Sequence, residues 1–134
     1  MTVTGLHLLA IALGGAFGGI GRFWVSGVVA RRFGERFPWG TLVVNVTGAA
    51  LIGMVAGALL APDMGSLRQS SIWALLVIGV LGSYTTVSSF SVQTLALVRS
   101  GERARAAANV AASLSLCLGS AAAAYVIVQW TVRA

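Results

Sequence analysis

The sequence predicts an all-α membrane protein with four transmembrane helices, the third of them broken. Of its 134 residues, 57% are hydrophobic and 9% are charged, whereas soluble domains carry about a quarter charged residues. Apolar stretches of about 20 residues, the length that crosses the hydrocarbon core, lie at about 6–30, 40–60, 72–98 and 106–130. We therefore interpret residues 1–134 as one transmembrane domain with the lipid bilayer as its solvent.

The net charge of +6 comes from arginines that lie mainly between the apolar stretches. This placement is typical of membrane orientation signals, so we expect no nucleic-acid partner. Cys117 is the single cysteine, which excludes an intrachain disulfide and a cysteine metal site. Met1–Gly5 carries no basic side chain, unlike the start of a cleavable signal, so we expect the first span to remain in the mature protein.

The first span is rich in glycine. Gly14 and Gly18 are four residues apart, as are Gly15 and Gly19, and such small-residue steps allow another backbone to approach closely within a membrane. Arg22 follows Gly18 by four residues and lies on the same helix face. Two interpretations stay open for this arginine: it extends to the headgroups, or it faces inward to attract anions or anchor the fold.

The second span carries a stripe of small residues. Asn45, Ala49, Gly53 and Gly57 recur every four residues, which predicts one narrow packing face with Asn45 on it. The Asn45 amide has two possible roles. It either joins two helices by hydrogen bonds or offers an N–H to a passing ligand.

A polar patch interrupts the third apolar run, Ile72–Val98. Seven of the nine residues in Ser83–Ser91 carry a hydroxyl, and a bilayer core has no water to solvate them. We expect Gly82 to let the backbone leave helical geometry, giving a broken helix that lines a polar path. The alternative is a continuous helix whose hydroxyls bond back to the preceding turn.

The fourth span has one polar face. Asn109, Ser113 and Cys117 follow one another at four-residue spacing, with Ser120 nearby. Residues at this spacing share one side of a helix.

Every carboxylate of the chain lies in a connection between spans, namely Glu35, Asp63 and Glu102. A proton-coupled multidrug exporter needs an acid inside the membrane, so this sequence does not favour one. An intramembrane enzyme needs a nucleophile with its base, or metal ligands. The only histidine, His7, lies near the N-terminus and far from Cys117 in sequence, so we expect the protein not to be an enzyme.

Three segments carry a resemblance to a known family. GGAFGGIGR in the first span, GTLVVNVTGAALIG in the second and GVLGSYTTVSSFS in the third resemble, in order and separation, the signature blocks of the fluoride channels known as Fluc or CrcB. The resemblance implies an antiparallel, dual-topology dimer of four-helix subunits, with two fluoride pores along the dimer interface and a central sodium ion. It also implies passive, fluoride-specific export across the cell (inner) membrane, which relieves fluoride toxicity.

The same resemblance implies roles for individual residues. Asn45 would be the pore donor of the second helix, and Arg22 the arginine of the vestibule. The backbone carbonyls of Gly82 and Thr85 would hold the sodium ion. The remaining pore positions lie on the third and fourth helices: Ser88 and Ser89 beside the phenylalanine box, Val87 and Phe90 in the box itself, and Ser113 on a polar track.

The box is where this chain departs from the family pattern. The family reads TTFSTFS with a glutamate two residues later, and this chain reads TTVSSFSVQ. Val87 replaces the first phenylalanine and Gln93 replaces the glutamate, whereas Phe90 is kept. An alternative function is therefore a weakly conducting or non-conducting subunit of a heterodimeric fluoride channel.

The residues at membrane depth suit a small, strongly hydrated anion. A pore for fluoride must replace its water with donors such as an amide N–H, hydroxyls and the positive edge of an aromatic ring. The second and third spans supply all three kinds.

The arginines also predict an orientation. The first and third connections hold six of them, and the second connection and C-terminal tail hold two, Arg68 and Arg133. The positive-inside rule then places the odd connections in the cytoplasm and both termini outside. A homodimer of antiparallel subunits requires the same chain to insert in both directions. Such dual insertion is easiest when the two sides carry nearly equal numbers of arginines. The expected partner is thus either a second copy or an oppositely oriented paralogue.

Overall fold

A computed structural model describes residues 4–59 and 70–133, and these residues form helices with no strand. The helices are α1 (Gly5–Phe33), α2 (Trp39–Leu59), α3 (71–84), α4 (Val87–Arg99) and α5 (Arg103–Arg133). Residues 1–3 lie outside the described part of the chain. So does most of the second connection, residues 60–69, with Asp63 and Arg68. Four segments of the described part are long and apolar enough to cross a membrane, α3 and α4 together forming the third. The predicted all-α class with four candidate spans is confirmed.

Among the described residues, many large apolar side chains are exposed, and four of the seven buried apolar residues are alanines. Phe23 is 82% exposed and Leu118 69%. The buried apolar residues are Ala10, Leu42, Val44, Ala74, Leu81, Ala106 and Ala124. This distribution suits lipid, which solvates the outer side chains, while close backbone packing holds the helices together.

Glycines of α1 bring it into backbone contact with α3. A Cβ atom at Gly14 would overlap the carbonyl oxygen of Leu75, and one at Gly18 would overlap that of Val80. The close-packing prediction for Gly14 and Gly18 is confirmed. Gly19 differs, because a Cβ atom there would meet nothing within 4 Å.

The α2 stripe contacts two different neighbours. A Cβ atom at Gly53 would overlap the α5 backbone, and one at Gly57 would lie 2.9 Å from the carbonyl oxygen of Tyr125. Gln129 Nε2 also donates to the Gly57 carbonyl at 2.8 Å. Each four-residue step turns about 40° beyond a full helical turn, so Asn45, at the other end of the stripe, faces the third span instead of α5. The prediction of one packing face for the whole stripe is wrong.

Helix α3 is not a regular α-helix. It consists of an α-turn at Ser71–Trp73, π-helical turns over Ala74–Leu81 and an α-turn at Gly82–Tyr84. The Ser70 hydroxyl caps its start by accepting from the Trp73 amide at 3.2 Å. The π-helical turns coincide with the segment that contacts the α1 glycines, and π turns frequently mark functional sites.

The helical backbone stops after Tyr84 and resumes at Val87. Between them, Thr85 (φ −76°, ψ 158°) and Thr86 (φ −153°, ψ 127°) are extended. Gly82 keeps helical angles (φ −63°, ψ −33°), so the prediction that the backbone leaves the helix at this glycine is wrong. The departure comes three residues later, where a side chain of another helix holds the extended backbone.

Candidate functional site

Asn45 holds the two extended residues between α3 and α4, Thr85 and Thr86, which we call the break. Its Nδ2 donates to the Thr86 carbonyl and its Oδ1 accepts from the Thr86 amide, both at 2.8 Å. Thr86 is 8% exposed, and a backbone at membrane depth needs such partners because lipid supplies none. An amide nitrogen carries two hydrogens, and the second one has no protein acceptor among the described residues. Asn45 therefore joins two parts of the bundle and has one N–H left without a protein acceptor among the described residues.

The hydrogen bonds at the break release two backbone carbonyls. In a continuous helix the Gly82 carbonyl would accept from the Thr86 amide, which donates to Asn45 instead. The Thr85 carbonyl would accept from the Ser89 amide, which donates to Thr86 Oγ1 at 3.2 Å. Carbonyl oxygens of unwound membrane helices are suitable ligands for Na⁺. The two groups predicted to hold sodium thus fit that ion chemically.

Hydroxyl groups gather at the start of α4. Thr86 Oγ1 lies 3.1 Å from Ser88 Oγ and donates to Ser89 Oγ at 3.3 Å. The first amides of a helix carry partial positive charge and favour anions. The site thus offers several donors within one turn. Thr86 links them all, and sequence reasoning missed it because only the folded chain shows which hydroxyl of the run is central.

Val87 and Phe90, the two positions of the phenylalanine box, and Ser113 differ in how far they are exposed. Val87 is 77% exposed, whereas Phe90 and Ser113 are half-buried. No hydrogen bond joins Ser113 to the α4 hydroxyls within the described residues. Other hydroxyls bond back to their own helix, as the continuous-helix alternative expected: Ser91 Oγ donates to the Val87 carbonyl at 2.9 Å.

A cavity of about 810 Å³ lies between α1, α2 and α4. It begins at the connection after α1, where Glu35 lines it, and reaches the break at Thr86 and Ser89. Arg22 lines its wall and is half-buried. A guanidinium in a confined space attracts anions more strongly than one in bulk water.

Gln93 also lines this cavity, between the mouth and the hydroxyls. Its Oε1 is buried and has no hydrogen-bond partner within the described part of the chain. A buried acceptor without a partner is unfavourable by about 1–3 kcal/mol. Unlike a glutamate, this amide adds no negative charge to the wall.

The family model described as "CrcB-like protein, Camphor Resistance (CrcB)" matches residues 9–125. The chain belongs to the CrcB family. Curated relatives include fluoride-specific ion channel FluC 2 of Rhodopseudomonas palustris strain BisB18, 57% identical with 83% of this chain and 84% of the relative covered. FluC 2 of Bradyrhizobium diazoefficiens is 48% identical, covering 90% and 87%. FluC of Opitutus terrae is 54% identical, covering 82% and 83%.

Membership of the CrcB family agrees with the fold. Four apolar helices and this family make the chain a multi-pass membrane protein. It is not an enzyme. Within the described residues, no group of three or more His, Cys, Asp or Glu side chains is placed to hold a metal ion.

Proposed function

We propose that this CrcB chain forms a fluoride-specific channel that lets fluoride leave the cell passively and so relieves fluoride toxicity. The observation that carries the proposal is the continuity of the cavity, which Arg22 lines, with the hydroxyl groups at Thr86 and Ser89. Relatives that cover most of this chain are named fluoride-specific ion channels.

The geometry suggests how a strongly hydrated anion would move. Arg22 attracts it into the cavity, where water still surrounds it. At the break, donors replace that water: the free N–H of Asn45, the Ser88 and Ser89 hydroxyls, and the ring edge of Phe90. The donors are fixed in advance by hydrogen bonds, so little reorganisation is needed as the ion passes.

The alternative of a multidrug-type transporter is not favoured. Glu35 lies at the cavity mouth, and Glu102 forms an ion pair with Arg105 at the start of α5. Neither lies in the middle of a span, where a proton-coupling carboxylate would be needed.

We propose an antiparallel, dual-topology dimer as the conducting assembly. Hydroxyl groups face outward from the single chain at the break and beside it, including the paired hydroxyls of Thr47 and Tyr84 at 3.0 Å and the exposed Ser88 and Ser91. Lipid does not solvate such groups, so a second subunit that covers them is favoured. This subunit would complete the surroundings of Phe90 and Ser113.

The partner is either a second copy or an oppositely oriented paralogue. The names of several relatives carry the numbers 2, 3 or 4, which is consistent with more than one such chain per organism. Single cysteines at Ser66 and Gly101, with Cys117 replaced, distinguish the two cases by labelling intact cells with an impermeant thiol reagent. Labelling at residue 66 alone indicates one orientation and a paralogue as partner, and comparable labelling at both indicates a homodimer.

Sodium at the centre of the dimer is the proposed structural ion. The released carbonyls of Gly82 and Thr85 would hold it, as their chemistry allows. Its positive charge would stabilise the break between the two halves of the third span. Anions near the break would also be attracted.

Purified protein in liposomes tests the proposed function. Vesicles loaded with fluoride should discharge it when a potassium ionophore sets the membrane potential, and vesicles loaded with chloride should keep it. Protein-free vesicles are the control for leakage. Chloride efflux as fast as fluoride efflux would refute a fluoride-specific channel, and no efflux of either ion would favour the non-conducting subunit.

A further inference from the structure

Within the single chain, helix α4 carries the candidate pathway residues but packs little against the other helices. None of the residues in Val87–Arg99 is buried, whereas α1 and α2 are fixed by backbone contacts at glycines. A segment with few buried contacts has low local stability, so specific hydrogen bonds contribute more to holding it in place. The positions of Ser89, Phe90 and Gln93 therefore depend on such bonds.

Asn109 of α5 supplies a bond of this kind. It is 2% exposed, and its Nδ2 donates to Thr94 Oγ1 at 2.9 Å. The Thr94 hydroxyl in turn donates to the Phe90 carbonyl at 2.7 Å. Among the described residues, the Asn109–Thr94 contact is the only side-chain hydrogen bond between α4 and another helix.

Two asparagines thus hold the two parts of this segment. Asn45 fixes Thr86 just before α4, and Asn109 fixes Thr94 within it. The two points are eight residues apart, or about 12 Å along a helix. Phe90 lies between them. Because each asparagine comes from a different helix, together they determine both the depth and the rotation of α4.

We propose that Asn109 is a positioning residue for the fluoride pathway, acting through Thr94 to orient α4. The proposal rests on the fluoride channel function proposed above. Asn109 is not assigned as a ligand, since its side chain is almost completely buried, at 2% exposed. Its polar character on the fourth span therefore serves packing of α4 and not contact with the ion.

Two variants remove the bond from opposite sides. Asn109→Leu keeps the branched shape and the number of side-chain heavy atoms without an amide, and Thr94→Val keeps the shape without a hydroxyl. Thr94→Ser restores the hydroxyl and should restore wild-type behaviour. Ser115→Ala is the matched control, because the Ser115 hydroxyl bonds only to its own helix, at the carbonyls of Ala111 and Ala112.

Hydrogen–deuterium exchange tests the anchor without requiring transport. Loss of one hydrogen bond of about 1 kcal/mol corresponds to about fivefold faster exchange. We expect this acceleration in peptides covering 87–99 for Asn109→Leu and Thr94→Val, and no change for Ser115→Ala. Unchanged exchange in both variants would refute the anchor. This comparison remains decisive even if the wild-type protein carries no fluoride, a result that would instead refute the proposed function.

Fluoride efflux at low protein density tests the positioning role. The fraction of vesicles that discharge reports how much protein is folded, and the rate in those vesicles reports the channel itself. We expect the rate per active channel to fall at least fivefold in Asn109→Leu and Thr94→Val and to recover in Thr94→Ser. Faster exchange with an unchanged rate per channel would show that Asn109 only stabilises the fold, which would overturn the proposal.

Discussion

Replacing Asn45 by alanine should close the pathway by removing the bonds that hold the break. Both the amide and the carbonyl of Thr86 lose a partner at 2.8 Å. An unpaired buried backbone group costs about 1–3 kcal/mol, so the two together disfavour the extended conformation by roughly 2–6 kcal/mol. The chain recovers part of this cost by continuing the helix through residue 86, with its amide returning to the Gly82 carbonyl.

Even the lower limit has a large effect on the channel. A shift of about 2 kcal/mol lowers the ratio of the broken to the continuous conformation about 30-fold. The variant also loses the free N–H that Asn45 offers to an anion. We therefore expect fluoride efflux per active channel to fall at least about tenfold, while the helices and the dimer persist.

The control for this variant is Gln129→Ala. Gln129 also uses a side-chain amide to reach a backbone carbonyl of α2, that of Gly57 at 2.8 Å, but it lies away from the break. Its loss should lower thermal stability without changing efflux per channel. Efflux of Asn45→Ala within twofold of wild type, in protein that is dimeric by size-exclusion chromatography, would refute the role of the asparagine in holding an open break.

Three further outcomes are expected. Val87→Phe should raise fluoride efflux, because the exposed valine offers no aromatic edge, and Phe90→Ile should lower it; if neither variant changes efflux, the aromatic positions are not part of the pathway. Gly18→Ala should lower the free energy of unfolding by about 1–3 kcal/mol, because its Cβ overlaps the Val80 carbonyl, whereas Gly19→Ala should leave it unchanged or slightly raised, because its Cβ meets nothing within 4 Å. Replacing sodium by N-methylglucamine during purification should lower the melting temperature of the dimer, and an identical melting temperature in both buffers would contradict a structural sodium ion.

The sequence predicted those features that follow from local composition. Apolar length and the scarcity of charge predicted four spans because lipid requires both. The step from Gly14 to Gly18 predicted a close helix contact because only small residues permit it. The three motif segments, in their order and separation, were sufficient to indicate the family.

The position of the break could not be derived from the sequence. Gly82 was the residue with the greatest conformational freedom, yet it stayed helical, because freedom permits a break without stabilising one. The stabilising bonds come from Asn45, 41 residues away from Thr86 in the chain. No local pattern records such a contact.

The sequence by itself determined the solvent, the number of spans and the chemical groups available at membrane depth, since these depend on residue type and spacing alone. Only the tertiary structure decided which groups meet: that Asn45 turns from the α2 stripe toward Thr86, that the Gln93 Oε1 is buried without a partner among the described residues, and that Asn109 bonds to Thr94. The physical reason is that a hydrogen bond requires two groups within about 3 Å in a defined direction. Helix rotation sets that geometry, and the packing of all the helices together fixes the rotation.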